Sequence, residues 1–109
     1  MEEMVKIAVF VPITHTEIVR KAIGDAGAGN IGNYSHCSFS SKGTGRFFPK
    51  EGANPNIGKV GKAEEVDEER IETICPRKMV KSVIDAIKKV HPYEEVALDI
   101  FPLINEEEL

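Results

Sequence analysis

The residues best suited to do chemistry stand at one junction of the chain, where Glu94 and Glu95 closely follow His91. Imidazole and carboxylate groups bind zinc and related divalent cations. Pro92 keeps these residues off a common helix, and neighbours on a strand point to opposite faces, so at most one glutamate can join His91 locally. A metal site would therefore combine His91 and Glu94 with a third ligand from elsewhere, for which His36 is the candidate. The alternative is that His91 only ends a helix and the glutamates pair with lysines.

A second group of polar and aromatic residues falls on predicted strands. By strand alternation, one face of the sheet collects Lys6, Phe10, Tyr34, His36, Arg70, Glu72, Asp99 and Phe101. This face is predicted to be either a surface between identical subunits or a cleft in which Arg46 or Arg70 holds an anion. The candidate ligand-binding residues are thus Tyr34, His36, Arg46, Arg70, His91, Tyr93 and Glu94.

Motifs for phosphate binding and nucleophilic catalysis are incomplete. The stretch Gly43-Thr44-Gly45 lacks the later glycine of a dinucleotide-binding fingerprint, and Gly61-Lys62-Ala63 lacks the Ser or Thr of a phosphate loop. Cys37 directly follows His36, and adjacent strand residues point apart, which does not favour a nucleophile and base pair. We therefore predict no catalytic residue within the chain itself.

The elements that must position these residues follow from periodicity. Strands are predicted over residues 5–11, 33–41, 66–75 and 96–103, and helices over 14–26 and 76–90, with a glycine-rich hairpin connection over 42–63. Thr14 and Glu17 have the spacing of a capping box, and Gly27 is placed to end the first helix. Pro92 ends the second helix at His91.

The order β, α, β, β, α, β predicts an α+β fold. With right-handed crossovers it gives a ferredoxin-like, four-stranded antiparallel sheet with both helices on one face. The chain of 109 residues fits a single domain, residues 1–109. Both faces of the first strand are largely apolar, so the face without helices needs cover that a second copy can supply.

Composition excludes several classes of partner. The net charge is −4 with basic and acidic residues interspersed, which argues against nucleic acid. The apolar run from Ile7 is too short for a signal peptide or a membrane span, so a cytoplasmic protein is expected. Cys37 and Cys75 form no CxxC pair and are interpreted as small apolar residues.

Several stretches together resemble a known family. They are Gly32-Asn33-Tyr34, Cys37-Ser38-Phe39, Gly43-Thr44-Gly45-Arg46-Phe47, Glu69-Arg70-Ile71-Glu72 and residues 91–103 from His91-Pro92-Tyr93 onward. The chain is similar over nearly its whole length to the PII-like, CutA-like insert domain of the GTP cyclohydrolase 1 type 2 proteins. That family, also called Nif-three-like, holds two metal ions in the larger domain around the insert.

The resemblance implies the fold and a tendency to form trimers. The metal ligands of the larger domain have no counterpart in this chain, so the family's catalysis is not implied. We expect a homotrimeric regulatory or assembly module that binds a small ligand or metal, or that docks on a larger dinuclear-metal protein. The alternative is a hydrolase whose divalent metal is held across subunits by His91, Glu94 and His36.

Overall fold

A computed structural model describes residues 2–109, which form a four-stranded antiparallel sheet and two α-helices. The elements are β1 (Met4–Pro12), α1 (Thr16–Asp25), β2 (Phe39–Phe47), β3 (Glu64–Pro76), α2 (Val80–Val90) and β4 (Leu98–Pro102). Short 3-10 turns span Ile13–His15, Arg77–Met79 and Glu106–Glu108. The strand order β2-β3-β1-β4 is that of a ferredoxin-like fold, so the predicted fold class is confirmed.

The hydrophobic core lies between one face of the sheet and both helices. β1 is central, because it pairs with β3 on one side and β4 on the other. Its alternate residues are buried together with residues of β3 and the two helices, namely Val5, Ile7, Val9, Val11, Ile71, Cys75, Val19, Ile23, Val83 and Ile87. Both helices therefore cover the same face, and we call the opposite side the helix-free face.

A two-stranded arm extends beyond this core. β1 pairs with β3 only as far as Glu68, whereas β2 stays paired to β3 as far as Glu64, opposite Phe47. The molecule is accordingly elongated, with extents of 49 × 24 × 23 Å. The prediction of a loop from residue 42 was wrong for residues 42–47, because Gly43 and Gly45 remove the alternation by which a strand is detected.

The predicted strand over residues 33–41 begins only at Phe39. Tyr34 and His36 lie instead in a loop, and other hydrogen bonds hold this loop in place. The amide of Cys37 donates to the carbonyl of Gly29 at 2.9 Å, and the Thr73 hydroxyl donates to the carbonyl of Cys37 at 2.8 Å. These bonds take the place of a strand ladder, so the assignment of Tyr34 and His36 to the helix-free face was wrong.

The start of the first helix also differs from its prediction. A 3-10 turn over Ile13–His15 precedes α1, and the Thr14 hydroxyl bonds Nδ1 of His15 at 2.8 Å. Glu17 pairs with Arg20 on the next turn of the helix. The predicted capping box is therefore replaced by local side-chain pairs, while Gly27, with φ of 101°, ends the helix as expected.

The second helix and the last strand follow the prediction with small shifts. α2 ends at Val90, immediately before His91 and Pro92. β4 begins at Leu98 rather than at residue 96, and among the described residues it pairs only with β1. Across residues 2–109, the structure contains no helix with the length and apolar character that a bilayer crossing requires.

Candidate functional site

The main cavity opens on the helix-free face at the base of the arm. It has a volume of about 760 Å³ and lies between β2, the connection that follows it, and the segment before β4. Its apolar lining includes Phe10, Phe47, Phe48, Pro49, Pro55, Ile57, Tyr93 and Ala97. Cavities of this size and character commonly receive small molecules. We call this cavity the arm groove.

A buried carboxylate forms part of the arm groove. Glu68 is only 8% exposed, and its Oε2 accepts a hydrogen bond from the Tyr93 hydroxyl at 2.8 Å. Gly45 of β2 makes room for it, since a Cβ there would lie 2.1 Å from Glu68 Oε1. Burial, together with the Glu68 carboxylate, raises the pKa of Tyr93 well above its usual value, so the phenol stays protonated and donates.

His91 holds Tyr93 in place. Its Nε2–H donates to the carbonyl of Phe10 at 2.8 Å, and its Nδ1 accepts from the backbone amide of Tyr93 at 3.1 Å. Burial lowers the pKa of His91, which favours this neutral tautomer. Because both ring nitrogens are engaged, His91 has no lone pair left for a metal ion within this subunit.

Arg70 lies beside the arm groove on the helix-free face. Its Nε is 2.9 Å from Glu72 Oε1, and its guanidinium carbon lies 5.7 Å from the centre of the Phe10 ring. Lys6 reaches the other oxygen of Glu72 at 3.6 Å. The Arg70 charge is thus already matched by Glu72, and this group of side chains forms a charged and aromatic patch.

Glu94 and Arg46 line the same groove but have partners of their own. Glu94 accepts from the backbone amide of Asn54 at 3.0 Å and so ties the connection after β2 to the segment before β4. Arg46 lies on the arm, with its Nε 3.8 Å from Glu65. The structure therefore brings Arg46, Arg70, Tyr93 and Glu94 to one cavity.

Tyr34 and His36 lie elsewhere. Tyr34 is 75% exposed, and His36 bonds Asp25 through Nε2 at 3.0 Å and Ser35 through Nδ1 at 2.9 Å. The bonds from His36 and then Lys21 lower the pKa of Asp25. His36 borders a second cavity against α1, so one subunit does not assemble His36 with His91 and Glu94. Within residues 2–109, no group of three or more metal-ligating side chains is formed.

Sequence reasoning missed Glu68, which sits in the acidic run from Glu64 to Glu69 and looks like a solvated residue there. Strand parity was the available signal, because Glu68 shares its face with Arg70 and Glu72 on β3. Phe47 was missed as well, because it was assigned to a loop. It packs edge-on against Tyr93 with ring centres 6.0 Å apart.

Known proteins of greater length contain a segment similar in sequence to this chain. No family model matches the chain. A GTP cyclohydrolase 1 type 2 homolog of Halalkalibacterium halodurans is 57% identical over 107 residues, which is 98% of this chain and 29% of that protein. This chain is homologous to a segment of the GTP cyclohydrolase 1 type 2 homologues. It spans less than a third of their length, so the activity of the whole proteins is not established for it.

Solved structures agree with this assignment. The crystal structure of a Bacillus cereus protein related to NIF3 superposes with a TM-score of 0.84 and 60% identity, over 95% of this chain and 26% of that one. The periplasmic divalent cation tolerance protein CutA of Archaeoglobus fulgidus superposes with a TM-score of 0.69 at 18% identity, over 97% of this chain and 91% of that one. The first confirms the expected relationship to Nif-three-like proteins, and the second confirms the CutA-like fold.

Proposed function

We propose that this domain is a self-assembling module that forms a homotrimer through its helix-free face and binds a small ligand in the arm groove. The observation that carries the proposal is the helix-free face itself. Phe39 is 68% exposed and Phe101 is 41% exposed on it, although both belong to strands. Exposed aromatic residues grouped on one sheet face are typical of surfaces that another protein covers.

Cross-strand pairing on this face supports the proposed contact. Phe39 lies opposite Glu72, and Phe101 lies opposite Lys6. Lys6 and Glu72 are in turn paired with each other across β1 and β3. Aromatic residues around a matched ion pair favour a specific interface, because the charges are already neutralised when water is removed. The resemblance to PII-like and CutA-like domains supports three subunits.

Phe101→Glu tests the assembly. A carboxylate in place of the Phe101 ring is costly to bury in the proposed interface, so we expect the variant to sediment as a monomer of 12.0 kDa at micromolar concentration. The unmodified protein should sediment at three times that mass. Tyr34→Glu is the matched control, because Tyr34 is exposed but lies off this face. A monomeric unmodified protein with an intact fold would contradict the proposed assembly.

The alternative function, a metal-dependent hydrolase completed across subunits, has less support. His91 already uses both ring nitrogens, and Glu94 already binds the Asn54 amide. A metal ion at His91 would have to displace one of its two hydrogen bonds. We therefore propose a binding and assembly role, with the chemistry of the longer relatives residing outside this domain.

A further inference from the structure

Glu68 is a buried carboxylate without a cationic partner. Within residues 2–109, no lysine, arginine or histidine forms an ion pair with it, and its one hydrogen-bond partner is the neutral phenol of Tyr93. The neighbouring cation on β3, Arg70, is already paired with Glu72. Burying a carboxylate without an opposite charge is costly, so the site is incomplete as the subunit stands.

The surroundings of Glu68 suit a positively charged group. Phe10, Phe47 and Tyr93 line the arm groove beside it, and aromatic rings attract cations through the negative potential of their faces. Further along, the groove presents apolar residues such as Pro55 and Ile57 among charged side chains of both signs. A carboxylate beside several aromatic rings, with an apolar extension, recognises an organic amine that carries an apolar body.

We propose that Glu68 receives the ammonium or guanidinium group of a ligand that occupies the arm groove. This proposal rests on the proposed ligand-binding role of the groove but not on the proposed trimer. The cationic group has two sources that share this chemistry. It belongs either to a small organic amine or to a lysine or arginine side chain of a second copy of this chain.

The direct test uses 2-phenylethylamine as the probe and neutral 2-phenylethanol as its isostere, titrated into the full chain by NMR. We expect the amine to shift the amide resonances of Gly43, Gly45 and Tyr93, and to bind at least about tenfold more tightly than the alcohol, because only the amine pairs with Glu68. Glu68→Gln keeps the shape and the Tyr93 bond but removes the charge. We expect it to lose that tenfold preference.

Two glycines on the same strand provide a matched pair of variants. In Gly45→Ala the new methyl group displaces the Glu68 carboxylate, so binding of the amine should fall about as much as in Glu68→Gln. In Gly43→Ala the methyl group meets no described atom within 4 Å, so the Glu68 carboxylate keeps its position and the preference for the amine over the alcohol should be retained. This comparison keeps the test valid even if Glu68→Gln alters folding.

Sedimentation of the same variants identifies the source of the cation. Loss of amine binding in Glu68→Gln with an unchanged assembly supports a small-molecule amine. A side chain of a second copy is supported by a different pair of results. The unmodified protein then does not bind the amine, and the assembly dissociates in Glu68→Gln and Gly45→Ala but not in Gly43→Ala. Equal affinity for amine and alcohol, or no effect of Glu68→Gln on either binding or assembly, overturns the proposal. A monomeric unmodified protein that still prefers the amine would contradict the trimer alone.

Discussion

At the scale of single residues, two polar side chains have roles that differ from those their types suggest. His91 looked like a metal ligand by residue type, yet its two ring nitrogens are occupied by the carbonyl of Phe10 and the amide of Tyr93. Glu68 looked like a solvated charge, yet it is buried beside aromatic rings. Hydrogen-bond partners, rather than residue type, decide which group is available to a ligand.

His91 predicts a pH dependence of stability. Burial lowers its folded pKa below the ordinary value of 6.5, so the unfolded chain binds the proton more readily than the folded one. The stability that neutral His91 contributes is complete above about pH 6.5 and is lost as pH falls below that value. We expect the free energy of unfolding, measured in urea, to decrease from pH 7.5 to pH 5.5.

His91→Gln isolates this contribution. At pH 7.5 the variant should be less stable by about 1–3 kcal/mol, because a buried hydrogen-bonded group is left unpaired. Its decrease in stability between pH 7.5 and pH 5.5 should be smaller than in the unmodified protein. Asp25, whose lowered pKa lies below 3.8, titrates outside this range and does not interfere. An identical pH dependence in both proteins would show that another group is responsible.

At the scale of elements, backbone hydrogen bonds in the preceding loop determine where β2 begins. The loop before β2 is held by Gly29, whose amide donates to the carbonyl of Ile74 at 2.7 Å and whose own carbonyl accepts from Cys37. Gly29 has φ of 83°, and a Cβ there would lie 2.5 Å from the backbone oxygen of Cys37. The close approach of two backbones explains why this position requires glycine.

Gly29→Ala and Gly32→Ala form a matched pair for this loop. Both glycines have positive φ, so each alanine costs about 1–2 kcal/mol of backbone strain. A Cβ at Gly32 meets no described atom within 4 Å, whereas one at Gly29 overlaps the Cys37 backbone. We expect the melting temperature to fall clearly further in Gly29→Ala. Equal decreases in the two variants would contradict the close packing at Gly29.

At the scale of the whole molecule, stability and assembly should be linked. Only folded subunits can form the trimer, so assembly stabilises the folded state by mass action. The melting temperature should therefore rise with protein concentration. We expect calorimetry over a hundredfold range of concentration to show this rise in the unmodified protein. Phe101→Glu should melt at a temperature independent of concentration, and a concentration-independent melt of the unmodified protein would argue for an isolated subunit.

The order and type of the elements were contained in the sequence. The alternation of Val5, Ile7, Val9 and Val11 and the apolar stripe of the second helix depend only on local periodicity, and Pro92 ends that helix through its own ring. Such signals are local, so they can be detected in the sequence without knowing which elements pack together. They were sufficient to predict the ferredoxin-like sheet and a helix-free face carrying Lys6, Phe10, Arg70 and Phe101.

The arm and its groove were decided by tertiary structure. Gly43 and Gly45 carry no side chain by which a strand could be detected, and β3 supplies their pairing from more than twenty residues away. The same long-range pairing buries Glu68 and brings Tyr93 to it, while bonds from Gly29 and Thr73 hold His36 away from the sheet. Contacts between distant segments leave no periodic trace in a sequence, because each partner alone is compatible with several environments.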